Sequence, residues 1–257
     1  MKLDFVIAGA QKCGTTALWR FLSQHPSIEF GSQKEMHIFD NDRINWSKDI
    51  DNAILLNYPE KTPGMIWGDA TPIYTYWPGS LQRMHAYNKA MKLIVLLRDP
   101  VERAYSHWKM ERARGCEPFA FEQAIRGGRA RIDALGAEAG VHRVFSYVER
   151  GFYAAQLKRV YDIFPSYQVL VLRQCDLKHC HQETLNRVCD FLEVERFTCS
   201  SEKVFVNHDD TIGELHELDR DYLRRLYADD LNDLMARYGI RFDQDPYWDQ
   251  ELARLRA

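Results

Sequence analysis

The feature that most constrains the fold is a short apolar run that leads into a glycine-containing turn and then into a helical pattern. Residues Leu3 to Gly9 form such a run, and the apolar spacing from Thr16 to Leu22 is typical of a helix. The same order recurs twice, with apolar runs at Lys92–Leu97 and Tyr167–Leu172 followed by helical patterns at Val101–Arg112 and Gln182–Leu192. Such alternation is typical of a parallel sheet covered on both faces. The sequence therefore predicts an α/β fold, a three-layer P-loop-like arrangement with a mostly parallel central sheet flanked by helices.

Length and composition predict one globular domain. At 257 residues, with 46% hydrophobic side chains, the chain can bury a sizeable core, so we predict a single domain over residues 1–257. A formal net charge of −3 gives no electrostatic reason to expect binding to nucleic acid or to a membrane surface. The apolar run from Phe5 to Ala10 is too short for a signal peptide or a membrane span, which predicts a cytoplasmic protein.

The six cysteines predict reduced thiols and no metal site. They contain no CxxC pair, and a chain of this size does not depend on disulfides. One stretch combines cysteine and histidine, namely Cys175, His179, Cys180, His181 and Cys189. Its spacings match none of the usual zinc-ligand patterns, so we expect thiols that pack against helices there.

The turn after the first apolar run has the frame of a nucleotide phosphate-binding loop. Gly9 and Gly14 are five positions apart, and hydroxyl residues open the predicted helix. An ATP-binding loop carries lysine at the position of Thr15, whereas the lysine here is Lys12, inside the loop. Backbone N–H groups of such a turn bind anions, so we expect a phosphate-like ligand but no hydrolysis of a nucleoside triphosphate. A turn that binds nothing is the alternative that the loop alone leaves open.

Further motifs follow this loop in order along the chain. Together with the loop they are Gln11–Leu18, Leu22–Pro26, Lys34–Asp40, Gly68–Tyr74, Leu93–His107, Gly151–Leu157 and the strand end at Leu172–Arg173. The series resembles the sulfotransferases that use 3′-phosphoadenosine 5′-phosphosulfate (PAPS), especially the branch that contains the heparan sulfate sulfotransferases and their bacterial relatives. The resemblance covers most of the chain. It implies a sulfotransferase with PAPS as co-substrate and without a metal.

The resemblance also assigns residues to the donor. The loop residues implied to hold its 5′-phosphosulfate are Gln11, Lys12, Cys13, Gly14, Thr15, Thr16 and Ala17. Lys12 would stabilise the charge that develops on the leaving oxygen. Arg98 and Ser106 would bind the 3′-phosphate, for which the forked guanidinium of arginine is suited. The ordinary alternative for Arg98 is an ion pair with Asp99 or Glu102.

The acceptor must lose a proton as it attacks, which calls for a general base. Glu35 matches the catalytic glutamate of the heparan-type branch, and His37 matches a second acceptor-side residue. In the cytosolic aryl and steroid branch a histidine is the base, so His37 is the competing assignment. If the segment is extended, Glu35, His37 and Phe39 share one face. Thr71 and Tyr74 are further acceptor-side candidates, in a proline-containing stretch.

Two departures from the family pattern bear on the acceptor and the donor. Relatives often carry lysine near the acceptor where this chain has Ala70, which argues against a highly anionic polysaccharide. The loop from Val204 to Gly213 lacks the usual basic and glycine residues, and only the region of Asn207 and His208 is indicated for donor contact. We therefore predict transfer of a sulfuryl group to a hydroxyl or amine of a small molecule, such as a secondary metabolite.

Two other functions fit parts of the pattern. A P-loop kinase of a small molecule is disfavoured by Thr15 at the position of the ATP-binding lysine. A nucleotide-binding module without catalysis is disfavoured by the presence of both Lys12 and Glu35.

Overall fold

The chain forms two compact units, each with its own apolar core. The computed structural model describes residues 2–47, 50, 54, 57–58, 62–135, 139–200 and 214–242. The first unit comprises residues 1–97 and 156–204, and the second comprises residues 98–155 and 205–257. A single domain over the whole chain remains a prediction.

A five-stranded sheet forms the centre of the first unit. Its strands are β1 (Phe5–Gly9), β2 (Ile28–Phe30), β3 (Ile66–Asp69), β4 (Lys92–Leu97) and β5 (Val169–Arg173). The strand order is β2-β3-β1-β4-β5, and every neighbouring pair is parallel. The predicted α/β fold with a parallel central sheet is therefore confirmed.

Both faces of the central strands are buried. Val6, Ala8 and Leu93 belong to one apolar cluster, on one face of the sheet. The alternate residues Phe5 and Ile7 point to the opposite face and are also fully buried. Burial on both faces explains why these strands appear in the sequence as unbroken apolar runs.

Helices flank the sheet and build the second unit. In chain order the described helices are α1 (Thr15–Leu22), α2 (Ser80–Tyr87), α3 (Pro100–Ala113), α4 (Phe121–Ile125), α5 (Ala130–Leu135), α6 (Ala139–Phe145), α7 (Tyr153–Tyr161), α8 (Gln174–His179), α9 (His181–Leu192) and α10 (Glu217–Tyr238). Helix α1 follows β1 after the loop of residues 10–14 and buries Leu18, Phe21 and Leu22. It thereby holds the loop that precedes it at the carboxyl end of β1.

The described part of the second unit is mainly helical. Its core joins Tyr105 and Trp108 of α3 to Leu223 and Tyr227 of α10. The carboxylate of Asp99 accepts hydrogen bonds from two N–H groups in the first turn of α3, both at 2.9 Å, which caps that helix.

Candidate active site

The loop between β1 and α1 has the geometry of an anion-binding turn. Lys12 and Gly14 both adopt left-handed backbone conformations, with φ of 68° and 90°. The Cys13 N–H donates to the Ala10 oxygen at 3.2 Å, and the Ala10 N–H donates to the Leu96 oxygen at 2.7 Å. The first N–H groups of a helix have no partner within it and carry the positive end of the helix dipole. Because α1 begins directly after Gly14, the turn can hold a phosphate or sulfate group.

The predicted loop residues differ in exposure. Cys13 and Thr15 are buried, whereas Gln11, Lys12, Gly14, Thr16 and Ala17 are half-buried. The Cys13 thiol contacts the Gln11 oxygen at 3.8 Å, so its side chain faces the protein interior. A Cβ at Gly14 would come within 3.2 Å of the Gln174 side chain. This contact and the positive φ together explain the glycine at this position.

The segment after β2, residues 31–40, carries Glu35 and His37 and is not extended. Glu35 and His37 have φ of 62° and 51°, in the left-handed region. A side-chain period of two holds only for extended residues, so these residues and Phe39 do not share one face in that way. Residues other than glycine with positive φ are uncommon and cluster at functional sites.

Four charged side chains of this segment form one cluster. The Lys34 ammonium contacts the Glu35 carboxylate. The second Glu35 oxygen, Oε2, lies 3.7 Å from Nε2 of His37, and Nδ1 of His37 lies 2.8 Å from Oδ2 of Asp40. The side chains of Glu35 and His37 are 35% and 45% exposed, whereas that of Asp40 is completely buried. Glu35 and His37 are therefore accessible to a ligand, and Asp40 holds the imidazole from the interior.

The charges of this cluster lower the pKa of Glu35 and raise the pKa of His37. Burial acts to raise the pKa of Glu35, but hydrogen bonding to His37 and the charge of Lys34 outweigh it and hold the pKa at about 2. Hydrogen bonds to Asp40 and Glu35 raise the pKa of His37 to about 9. At neutral pH Glu35 is a carboxylate that can accept a proton, and His37 is an imidazolium that cannot.

The other predicted acceptor-side residues, Phe39, Thr71 and Tyr74, are fully buried. The Phe39 ring packs edge-to-face on Tyr74, with ring centroids 5.5 Å apart. The Thr71 hydroxyl donates to the Asp69 carboxylate, and the Tyr74 hydroxyl accepts a hydrogen bond from the Ile38 N–H at 3.2 Å. The structure places these side chains in the interior and not on an exposed acceptor surface.

Two buried acids, Asp40 and Asp69, were not singled out from the sequence. Asp40 stands three residues after His37, a spacing that allows contact in a turn. Asp69 is the last residue of β3, and ligand-binding side chains of parallel sheets commonly follow strand ends. That signal was missed because β3 itself was not predicted.

The segment that carries Glu35 and the phosphate loop lie at one edge of the sheet. Strands β2, β3 and β1 are adjacent and parallel, so the residues that follow them share the carboxyl edge. After β3, the Thr75 N–H donates to the Ala8 oxygen of β1 at 3.1 Å. A Cβ at Gly9 would overlap the Thr75 hydroxyl. The turn after β3 therefore packs directly against the end of β1, from which the phosphate loop starts.

Arg98 and Ser106 belong to the second unit. The Arg98 guanidinium lies 3.5 Å from Glu102, whereas Glu102 approaches Arg220 more closely, at 2.7 Å. The Arg98 side chain is 26% exposed, and Ser106 is buried in α3. The alternative partner, Glu102, thus makes only a long contact with Arg98, which leaves part of the guanidinium accessible.

Other features bear on metal and membrane binding. All six cysteines are free thiols. Within the described ranges, no group of three or more His, Cys, Asp or Glu side chains is arranged to hold a metal ion. No helix in the part of the chain that the structure describes is both long and apolar enough to cross a membrane. The predicted donor region around Asn207 and His208 lies outside the described residues.

Comparison with known families identifies the domain. The family model described as "Sulfotransferase domain" matches residues 2–209. Heparan sulfate glucosamine 3-O-sulfotransferase 3B1 of Mus musculus and that of Homo sapiens are each 30% identical over 195 residues, which cover 74% of this chain and 46% of the relative. The chain thus spans about half the length of the curated relatives that it matches first.

Solved structures show the same fold. A sulfotransferase from Alicyclobacillus acidocaldarius superposes with a TM-score of 0.76 at 28% identity, covering 95% of this chain and 98% of that one. A sulfotransferase domain from the curacin biosynthetic pathway superposes with a TM-score of 0.52 at 17% identity, covering 76% of this chain and 75% of that one. The second likeness concerns the fold alone.

Proposed function

The chain belongs to the sulfotransferase domain family, and on that premise we propose that it transfers a sulfuryl group from PAPS to a hydroxyl or amine of a small molecule. The observation that carries the proposal is the common sheet edge of the phosphate loop and the segment that bears Glu35. A donor group in the loop and a base for the acceptor are both needed for transfer. A turn that only bound a nucleotide would need no accessible carboxylate at the same edge.

Direct transfer assigns a separate task to each of these groups. The acceptor oxygen or nitrogen forms a bond to sulfur while the bond between sulfur and the bridging oxygen breaks, and the proton of the acceptor passes to Glu35. The Lys12 ammonium stabilises the negative charge on the departing phosphate oxygen. The N–H groups of the turn hold the 5′-phosphate. The products are the sulfated acceptor and 3′-phosphoadenosine 5′-phosphate (PAP).

The protonation states favour Glu35 over His37 as the base. A pKa of about 2 leaves Glu35 ionised at neutral pH, and a pKa of about 9 leaves His37 protonated. The charge of the imidazolium then attracts the Glu35 carboxylate, whose Oε2 lies 3.7 Å from Nε2. A carboxylate of such low pKa is a weak base, so its effect depends on position more than on proton affinity.

The remaining donor contacts follow from the family resemblance. Arg98 and Ser106 would bind the 3′-phosphate, and the partial exposure of Arg98 supports this role. Gln11, Cys13, Thr15, Thr16 and Ala17 would complete the contacts to the 5′-phosphosulfate.

Ala70 favours a small acceptor over a sulfated polysaccharide. It is buried at a position where relatives often carry lysine. A polyanion would lack the attraction of that lysine. A secondary metabolite as acceptor and a cytoplasmic location remain predictions.

The first test is thermal unfolding with PAP, adenosine 5′-phosphate, or ATP with magnesium. A ligand that binds only the folded state stabilises it by about 2.7 kcal/mol at a hundredfold excess over its dissociation constant. We expect stabilisation that is largest with PAP. Stabilisation by ATP with magnesium alone would instead favour a P-loop kinase.

Turnover can be measured before the acceptor is known. Water can take the place of the acceptor, so release of PAP and sulfate from PAPS reports the chemical step. We expect Lys12→Ala and Glu35→Gln each to lower this rate, while Glu35→Gln leaves the stabilisation by PAP unchanged. Full turnover by both variants would refute the catalytic roles of Lys12 and Glu35, whereas stabilisation by PAP without any hydrolysis of PAPS by the wild-type protein would favour a nucleotide-binding module.

A further inference from the structure

In the segment that carries Glu35 and His37, residues with positive and with negative φ alternate along the chain. Both residues are left-handed, and each is followed by a residue, Met36 or Ile38, whose φ is not positive. A residue with a Cβ adopts the left-handed conformation at a steric cost, and such a conformation persists only when surrounding contacts enforce it. The contacts that enforce it here come from the turn after β3.

Each left-handed residue is followed by a peptide N–H that faces the end of β3 or the turn after it. The Met36 N–H interacts with the Asp69 carboxylate and acts to lower its pKa. The Ile38 N–H donates to the Tyr74 hydroxyl at 3.2 Å, in the interior. The Tyr74 hydroxyl also interacts with the Asp69 carboxylate and acts to lower its pKa. One buried network therefore holds the peptide groups directly after Glu35 and after His37.

The Asp69 carboxylate is also held by hydrogen bonds from the two residues that follow it closely in the chain, Ala70 and Thr71. The Thr71 hydroxyl lies 2.9 Å and 3.1 Å from the two Asp69 oxygens, and the Ala70 N–H donates to one of them at 2.7 Å. Asp69, Thr71 and Tyr74 are all buried. Burial raises the pKa of Asp69, and the hydrogen bonds from Tyr74, Thr71 and the two backbone N–H groups oppose it. Such a fully bonded buried cluster can impose one geometry on what it binds.

A second set of hydrogen bonds fixes the C-terminal end of the segment, at Phe39. The Phe39 oxygen accepts hydrogen bonds from the Ser80 hydroxyl at 3.1 Å and from the Arg83 guanidinium at 3.0 Å, both in α2. Ile38, Phe39 and Asp40 are thus held in the interior, whereas the side chains of Glu35 and His37 are partly exposed.

We propose that Asp69 and Tyr74, supported by Thr71, are positioning residues for sulfuryl transfer, because they hold the peptide groups that aim the Glu35 carboxylate and the His37 imidazole. The proposal rests on the proposed function, in which Glu35 accepts the proton of the acceptor. It gives the buried Thr71 and Tyr74 a different role from the acceptor contact that the sequence predicted.

The test compares two tyrosines whose hydroxyls make the same kind of bond. In Tyr74→Phe the Ile38 N–H loses its acceptor. In Tyr87→Phe the Leu3 N–H loses an equivalent buried acceptor at 3.1 Å, just before β1. The readouts are the titration of His37 by nuclear magnetic resonance of its ring nitrogens, the rate of PAPS hydrolysis, and the stabilisation by PAP.

We expect Tyr74→Phe to lower the pKa of His37 from about 9 toward 6.5, because the pairings with Asp40 and Glu35 loosen. The kcat of PAPS hydrolysis should fall about tenfold to a hundredfold, as for a small misplacement of a reacting group, while the KM for PAPS and the stabilisation by PAP stay unchanged. Tyr87→Phe should change none of these. An unchanged His37 titration in Tyr74→Phe, or equal effects of the two variants, overturns the proposal.

Substitutions at Thr71 keep the test decisive if Tyr74→Phe does not fold. Thr71→Val removes the hydroxyl that binds Asp69 and should shift the His37 titration in the same direction, whereas Thr71→Ser keeps the hydroxyl and should not. Equal titrations in the two Thr71 variants would count against the network. Failure of PAP to stabilise the wild-type protein would refute the proposed function, while the His37 titrations would still show whether the network aims the imidazole.

Discussion

Nδ1 of His37 lies 2.8 Å from Oδ2 of Asp40, and the Asp40 side chain is completely buried. This contact is the largest cause that raises the pKa of His37 to about 9 from an ordinary value of 6.5. Because the folded state holds the proton more tightly, the pair stabilises the fold fully below pH 6.5, and this stabilisation is lost as the pH rises through 9.

We therefore expect the melting temperature of the wild-type protein to fall between pH 6.5 and 9, measured by circular dichroism. In His37→Asn the part of the fall that is due to this residue should be absent. A second variant, Asp40→Asn, should bring the His37 titration down toward 6.5. Identical pH dependence in the wild-type protein and His37→Asn would contradict the prediction.

Removal of the Lys34 charge should shift the pH dependence of turnover. Lys34 lowers the pKa of Glu35, so Lys34→Met should raise it from about 2 toward 4.5. Because Glu35 must be ionised to accept a proton, the acid limb of PAPS hydrolysis should move to higher pH. A matched control is Lys158→Met, which removes another lysine that pairs with a carboxylate, Asp162, at 2.7 Å. The same shift in both variants would mean that Lys34 acts only through the total charge.

The packing of Gly9 on Thr75 predicts a stability coupling at the start of the phosphate loop. A Cβ at Gly9 would lie 2.9 Å from Cγ2 and 3.2 Å from Cβ of Thr75. Gly9→Ala should therefore lower the free energy of unfolding by about 1–3 kcal/mol, measured in urea. In a Thr75→Ala background the same change should cost less, because the overlapping atoms are gone. Gly127→Ala, with no atom within 4 Å of its new Cβ, should have little effect, and strict additivity of the two changes would refute the coupling.

The proposed role of Arg98 predicts a loss of selectivity for the 3′-phosphate. By isothermal titration calorimetry, Arg98→Ala should weaken PAP binding about tenfold to a hundredfold, the value of a charge-assisted hydrogen bond, with little change for adenosine 5′-phosphate. Arg224→Ala removes an exposed arginine of the same unit and should affect neither ligand. If Arg98→Ala weakened the binding of both nucleotides equally, Arg98 would not be the residue that binds the 3′-phosphate.

The sequence predicted the parts of the fold that are governed by long apolar runs. Strand β4 has the predicted bounds, Lys92 to Leu97, and α1 begins one residue before the predicted Thr16. Strands β2 and β3 were not predicted, since they contain three and four residues and β3 includes Gly68 and Asp69. Such short strands take their stability from neighbouring strands and not from their own pattern.

In the candidate site, too, features set by local sequence were predicted and features set by distant residues were not. The glycine spacing identified the phosphate loop, because the requirement for a close turn is local. The left-handed conformations of Glu35 and His37 were not predicted, since they are enforced by Asp69 and Tyr74, more than thirty positions away in the chain. Local propensity disfavours those conformations, and tertiary hydrogen bonds override it.

The anchors of Met36, Ile38 and Phe39 all come from residues between Asp69 and Arg83. During synthesis this segment therefore emerges from the ribosome about thirty residues before the side chains that shape it, or a few seconds at ordinary rates of elongation. A nascent chain that ended before Asp69 would already contain Glu35 and His37 without the contacts that arrange them. The arrangement of Glu35 and His37 is thus completed only after β3 and α2 have been made.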